Sequence, residues 1–169
     1  MGMQINGVRI VLMGVAGCGK SSVGIGLAPL LAARYIDGDD LHSVESVAKM
    51  RGGTPLTDAD RWPWLAQIGQ ALQTPGTIIG CSALRRVYRD RIRTFAAAPV
   101  RFIHLSGARA VIEARMNARQ GHYMPPSLLD SQFATLECPT PDEGAITVDI
   151  DQPLSGILGS IMAKIWERT

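Results

Sequence analysis

Short apolar runs alternate with longer amphipathic stretches along the whole chain. Residues 8–13, V-R-I-V-L-M, predict a buried strand, and residues 22–33 predict a helix that Pro29 kinks or restarts. Tyr35 and Ile36 predict a brief second strand that runs into D-G-D-D at 37–40. Residues 41–50 follow as a helix ended by Gly52 and Gly53. Thr57 and Asp58 open the next helix, in which Trp64, Leu65, Ile68 and Leu72 recur at helical spacing. After a Pro75-Gly76 turn, residues 77–81 form a continuous apolar third strand. Residues 83–98 make a basic helix with Arg85, Arg86, Arg89, Arg91 and Arg93, and 100–105 make a fourth strand. Ser106 is expected to cap a helix over 107–119 with Val111, Ile112 and Met116 on one side. A polar stretch rich in Gly and Pro, 120–141, holds a short helix near 128–136. Residues 146–150 are the last strand. Pro153 opens a final helix whose Leu154, Ile157, Leu158, Ile161, Met162 and Ile165 keep an i, i+3, i+4 pattern.

This alternation predicts an α/β fold: a five-stranded, mainly parallel sheet with helices on both faces. The chain's 169 residues suit one domain, and 46% apolar with 19% charged residues is ordinary globular composition. A formal charge of +2 gives no electrostatic reason to expect a nucleic-acid partner. Cys18, Cys81 and Cys138 are odd in number and far apart, which suits free thiols in a reducing compartment. Cys18 sits in a glycine-rich loop, where a helix N-terminus can lower a thiol pKa or a small side chain simply fits. The first seven residues lack a signal-peptide pattern and no apolar run reaches membrane-spanning length. No membrane partner is therefore expected, and the default location is the cytoplasm.

Chemistry enters with residues 14–21, G-V-A-G-C-G-K-S, placed between the first strand and the first helix. Gly14, Gly17 and Gly19 let backbone N–H groups converge on one anion, with Val15, Ala16 and Cys18 between them. The helix start, Ser22 included, adds unpaired N–H groups and partial positive charge. Lys20 supplies a cation for the β- and γ-phosphates, and the Ser21 hydroxyl is a hard ligand for Mg²⁺. These features make a nucleotide phosphate site.

Asp37 and Asp39 follow the second strand. Alternation at a strand end would turn both carboxylates toward the γ-phosphate, one for metal and one as base. A turn-forming D-G-D-D accounts for them equally well. His42, Lys49, Arg51 and Arg61 read singly as surface residues and together as a grip for an anionic acceptor. Small residues after the third strand, Ser82 among them, admit a ligand or merely a tight turn. Arg115 and Arg119 share a helical face before the polar stretch, exposed to solvent or poised to meet nucleotide under a lid. No later strand ends in the Asp of motor-type ATPases, and no Asn-Lys-x-Asp segment is present. Small-molecule phosphotransfer and a regulatory nucleotide-binding module remain.

Seven ordered segments resemble a known family: L-M-G-V-A-G-C-G-K-S from Leu12, D-G-D-D-L-H from Asp37 and K-M-R-G-G-T-P-L-T-D-A-D-R-W-P-W-L from Lys49. C-S-A-L-R-R-V-Y-R-D from Cys81, A-R-Q-G-H-Y-M from Ala118, L-L-D-S-Q-F-A-T-L-E from Leu128 and D-I-D-Q-P-L from Asp149 complete the set. Over nearly its whole length the chain resembles gluconokinases of the small P-loop type, within the shikimate-kinase-like and nucleotide-kinase-like group. The resemblance implies a three-layer P-loop kinase domain with an acceptor region at about 39–75 and a lid at about 120–138. It implies ATP and Mg²⁺ as cofactors, gluconate as the small-molecule substrate, and a homodimer. Asp37 would join Ser21 near the metal. Lys20 and Asp39 would be catalytic, Asp39 also binding the acceptor. His42, Lys49, Arg61, Ser82, Arg85, His122 and Gln132 would contact the acceptor or lie beside it. Arg115 would meet the nucleotide, and Arg119 and Pro153 would sandwich adenine. The chain has Ser43 and Ser46 where the family commonly has proline and asparagine, and Arg85 where it has lysine. A kinase for another hydroxy acid such as shikimate, and a non-catalytic module, stay as alternatives.

Overall fold

The computed structural model describes residues 7–119 and 126–167. Five strands, β1 (Arg9–Met13), β2 (Arg34–Asp37), β3 (Thr77–Gly80), β4 (Arg101–Ser106) and β5 (Ile146–Asp149), form one sheet ordered β2-β3-β1-β4-β5. Every pairing is parallel. The crossovers carry α1 (Lys20–Leu30), α2 (Val44–Arg51), α3 (Asp58–Leu72), α4 (Arg86–Ala96), α5 (Arg109–Ala118) and α6 (Pro126–Thr135), and α7 (Leu154–Glu167) closes the chain. Alternate side chains of β1 feed two cores. Ile10 and Leu12 pack with Leu27, Ile157 and Ile161, while Val11 and Met13 pack with Leu65, Ile68 and Ile92. The sheet is thus the middle of three layers, as its uninterrupted apolar strands require.

Because β1 lies between β3 and β4, chain direction across the sheet reverses there, and ligands bind at such a point beyond the strand ends. The register makes this concrete. Gly80 pairs with Leu12 on one side and Asp37 on the other, so the loops after β1, β2 and β3 open at one level. Cys81 N–H donates to Leu12 O at 3.0 Å and Gly14 N–H to Ser82 O at 3.2 Å, fixing two of these loops to each other.

Several boundaries differ from the sequence pattern. α1 starts at Lys20 because Gly19, at φ 96, supplies the left-handed cap. Pro29 falls in the last turn, and the helix ends one residue later at Leu30 without restarting. Residues 41–50 do not make one helix: a 3-10 turn covers Gly38–Leu41, and α2 begins only after Ser43. Ala83, at φ 44, and the extended Arg85 delay α4 to Arg86. Ser106 is not a cap. It ends β4 and its carbonyl accepts from Ile150 N–H at 2.9 Å, while Ala108 precedes α5 without a side-chain bond.

Candidate active site

Gly14, Gly17 and Gly19 all have positive φ, and at Gly14 a Cβ would meet Cys18 Sγ and Leu105 O. Only glycine lets the loop after β1 curl this tightly over the start of α1. Val15 and Cys18 are buried beneath it, whereas Ser21 and Ser22 stand exposed. The Lys20 ammonium crosses the loop, donating to Gly14 O at 3.0 Å and Val15 O at 3.2 Å. Oxygen donors at Ser21 and Asp37 suit a hard cation. No group of three or more His, Cys, Asp or Glu among the described residues could hold a metal unaided. Mg²⁺ takes one or two protein oxygens and otherwise keeps waters and phosphates.

The acidic pair is built differently from strand alternation. Asp37 ends β2, but Asp39 belongs to the 3-10 turn, and Asp37 Oδ1 accepts from Asp39 N–H at 3.0 Å. Capping and clustering coexist, so the turn and the site are one feature. Gly38 is required here, since a Cβ would strike the Gly80 carbonyl. Asp39 is open to solvent, yet surrounding protein strips part of its hydration and raises its pKa. Asp37 raises it further, and His42 and Lys20 pull the other way.

His42 stacks on Trp64, with ring centroids 4.0 Å apart and planes at 16°. Desolvation drives its pKa down, Asp39 opposes this and Arg61 reinforces it. Its Nδ1 is buried without a hydrogen-bond partner, and so could accept from or donate to a ligand hydroxyl. Trp64 is itself anchored by Nε1–H donating to Gly38 O at 2.8 Å. Beyond His42 lies Asp58, which receives Arg61 Nη1 at 3.1 Å, Arg85 Nη1 at 3.2 Å and Tyr88 O–H at 2.6 Å. Asp39 thus feels the charges of Lys20 and His42, His42 feels Arg61, and Arg61 meets Arg85 at Asp58.

The remaining expected residues are placed as follows. Lys49 pairs with Asp60 at 2.9 Å, inside the capping box that Thr57 and Asp60 form at the start of α3. Ser82 touches the phosphate loop through its carbonyl. Gln132, expected near the acceptor, reaches the phosphate loop instead: its Oε1 accepts from Ala16 N–H at 2.7 Å. Arg115 donates to the carbonyls of Ile150 and Gln152, just before Pro153, and its Nη1 flanks Gly19. Arg119 and Pro153 are exposed, and His122 lies outside the described residues. Arg51 is exposed in the last turn of α2. Ser43 takes over the helix-starting role, its hydroxyl accepting from Ser46 N–H at 3.1 Å.

Sequence reasoning missed Tyr35, Asp58 and Tyr88. Tyr35 O–H stands 3.5 Å from Ser21 Oγ, and its ring occupies space that a Cβ at Gly24 or Gly80 would fill. Two glycines in regular elements, with no turn to explain them, were the available signal.

No family model matches the chain. The glycine loop joining β1 to α1, with its lysine and serine on the helix start and a five-stranded parallel sheet behind it, defines a P-loop kinase. Thermoresistant gluconokinase of Escherichia coli (strain K12) is 44% identical over 161 residues, covering 92% of this chain and 91% of that protein. A probable gluconokinase of Xenopus tropicalis is 37% identical, covering 92% of each. The crystal structure of a gluconokinase from Sinorhizobium meliloti 1021 superposes with TM-score 0.88 at 45% identity, covering 95% of this chain and 92% of that one. The chain belongs to the gluconokinase family.

Proposed function

We propose that this chain transfers the γ-phosphoryl group of ATP to the terminal hydroxyl of D-gluconate, giving 6-phospho-D-gluconate and ADP. The observation that carries this is a site with two parts, Lys20 folded into the glycine loop and the paired arginines Arg61 and Arg85 at Asp58, with Asp39 and His42 electrostatically coupled to both. The loop suits phosphate and the arginine pair a carboxylate, and gluconate carries its terminal hydroxyl and its carboxylate at opposite ends. Asp39 takes the hydroxyl proton as the oxygen bonds to phosphorus and the bond to the ADP oxygen breaks. Its raised pKa supports that role, since a base works best near the operating pH. Lys20 and the loop N–H groups offset charge on the transferring group. Mg²⁺, held by Ser21 with Asp37 beside it, would neutralise phosphate charge when bound. His42 orients acceptor hydroxyls, Arg61 and Arg85 grip the carboxylate, and Arg119 and Pro153 flank adenine, with Arg115 fixing the loop that carries Pro153.

This reading includes a cytoplasmic homodimer, on the family resemblance alone; no helix of the described residues is long and apolar enough to cross a membrane. A coupled ADP-release assay over a panel of sugar acids tests the activity. Turnover is expected with gluconate. Turnover with shikimate and none with gluconate would overturn the substrate, and none with any acceptor would leave a nucleotide-binding module.

A further inference from the structure

Two arginines from different helices converge on one carboxylate. Asp58, in the first turn of α3, accepts from Arg61 of the same helix and from Arg85, which precedes α4. Tyr88 closes the group from α4. Its hydroxyl donates to Asp58 at 2.6 Å and receives Arg61 Nη1 at 3.3 Å, and both guanidinium carbons lie 5.6 and 5.5 Å from its ring centroid. Arg85 has a second, looser partner in Glu137 at 3.6 Å. The bonds to Asp58 use Nη1 of each arginine. The side chains of Arg61, Arg85 and Asp58 are 32%, 38% and 41% exposed, so the cluster is open to solvent, and Arg61 is close enough for its charge to act on His42.

We propose that Asp58 is the positioning residue of the acceptor's acid end, holding Arg61 and Arg85 over Tyr88 so that their remaining N–H groups face a single carboxylate. The inference rests on the sugar-acid reading above. An arginine left free samples many rotamers, and a substrate that orders it loses binding energy in doing so. Asp58 orders both before the acceptor arrives. The bond to Tyr88 keeps the carboxylate itself from following the arginines.

The test is Asp58→Asn, which preserves shape and an acceptor for Tyr88 but removes the charge. The expected result is a KM for gluconate raised roughly tenfold, the scale of ordering two long side chains. kcat should stay within about twofold, and KM for ATP should not move, because no new transition-state contact is lost. Asp58→Glu, which restores charge, should recover part of the affinity. An unchanged gluconate KM overturns the proposal. So does a lowered one, since Asp58 would then compete with the acceptor for the arginines. Equal damage to both substrates would mean a structural role only and also overturns it. Wild-type enzyme without gluconate turnover would sink the functional reading itself, an outcome distinct from any ratio between variant and wild type.

Discussion

Asp39 concentrates the chemistry in one side chain. On the proposed division of roles, with Asp39 as the acceptor's base and Lys20 and the loop N–H groups holding phosphate, Asp39→Asn should abolish phosphotransfer while ATP affinity stays nearly intact. The pH dependence follows from its surroundings. Its folded pKa lies above the ordinary value of 3.8, chiefly through lost hydration and then through Asp37. The base must be ionised, so the acid limb of kcat/KM should fall at a pH above that ordinary value. Asp37→Asn removes one cause and should move the limb to lower pH, whatever it does to the maximum rate. A limb that stays in place would show that Asp39 is not the titrating base. The glycine loop and the D-G-D-D turn were legible because each is written in a few consecutive residues. Asp58, Tyr88 and Tyr35 were not. Arg61 is a helical neighbour of Asp58, but Arg85 and Tyr88 lie 27 and 30 residues from it and Ser21 lies 14 from Tyr35, distances at which no local pattern connects them.

Among the elements, α2 shows how the chain replaces a familiar residue with a different device. Ser43 has φ −65 and ψ 159, and the preceding His42 has φ −66 and ψ 146, values that proline and its predecessor both accept. Ser43→Ala removes the cap bond to Ser46 and should cost about 0.5–2 kcal/mol. Ser43→Pro loses the same bond but restricts the unfolded chain, which returns about 0.4–1 kcal/mol. Thermal unfolding should therefore rank wild type and Pro close together and Ala lowest. An Ala variant as stable as wild type would remove the cap from the account. The strands and most helices were readable from apolar spacing alone. The two misplaced ends of α4 share a cause: Ala83 and Ala97 adopt positive φ without being glycine, so nothing in the letters marks the turn before or after it.

The whole molecule is closed by the segment between α6 and β5, which returns to α4. Glu137 N–H donates to Leu84 O at 2.7 Å and its carboxylate accepts from Arg86 N–H at 2.8 Å. Deeper in, Arg89 is fully buried and donates to both carboxylate oxygens of Glu143, at 2.7 and 3.0 Å, while Arg93 adds a further bond at 3.0 Å. Arg89 also holds the carbonyls of Ala83 and Leu84, so the same ion pair fixes the strained turn that carries Ser82 and Arg85. The Glu143 side chain is 1% exposed and its pKa is depressed to about 2, first by the Arg89 bond. A carboxyl with a depressed folded pKa contributes stability above its unfolded value and loses it as pH falls toward the folded one. For Glu143 that window runs from 4.5 down to about 2. An earlier loss comes from His104, buried beside Arg89 and held below 6.5, and from His42; both must charge on unfolding in acid. Stability should thus decline in two stages, below 6.5 and again below 4.5. Glu143→Gln leaves Arg89 buried without its counter-charge and should cost about 3–5 kcal/mol at neutral pH. For a chain of this size the melting temperature should drop on the order of 10 °C. The second stage of acid loss should shrink in the variant while the first remains, because the histidines are untouched. Melting curves across pH 3 to 8 would decide it, and a variant retaining the full loss below 4.5 would assign that loss to other carboxylates.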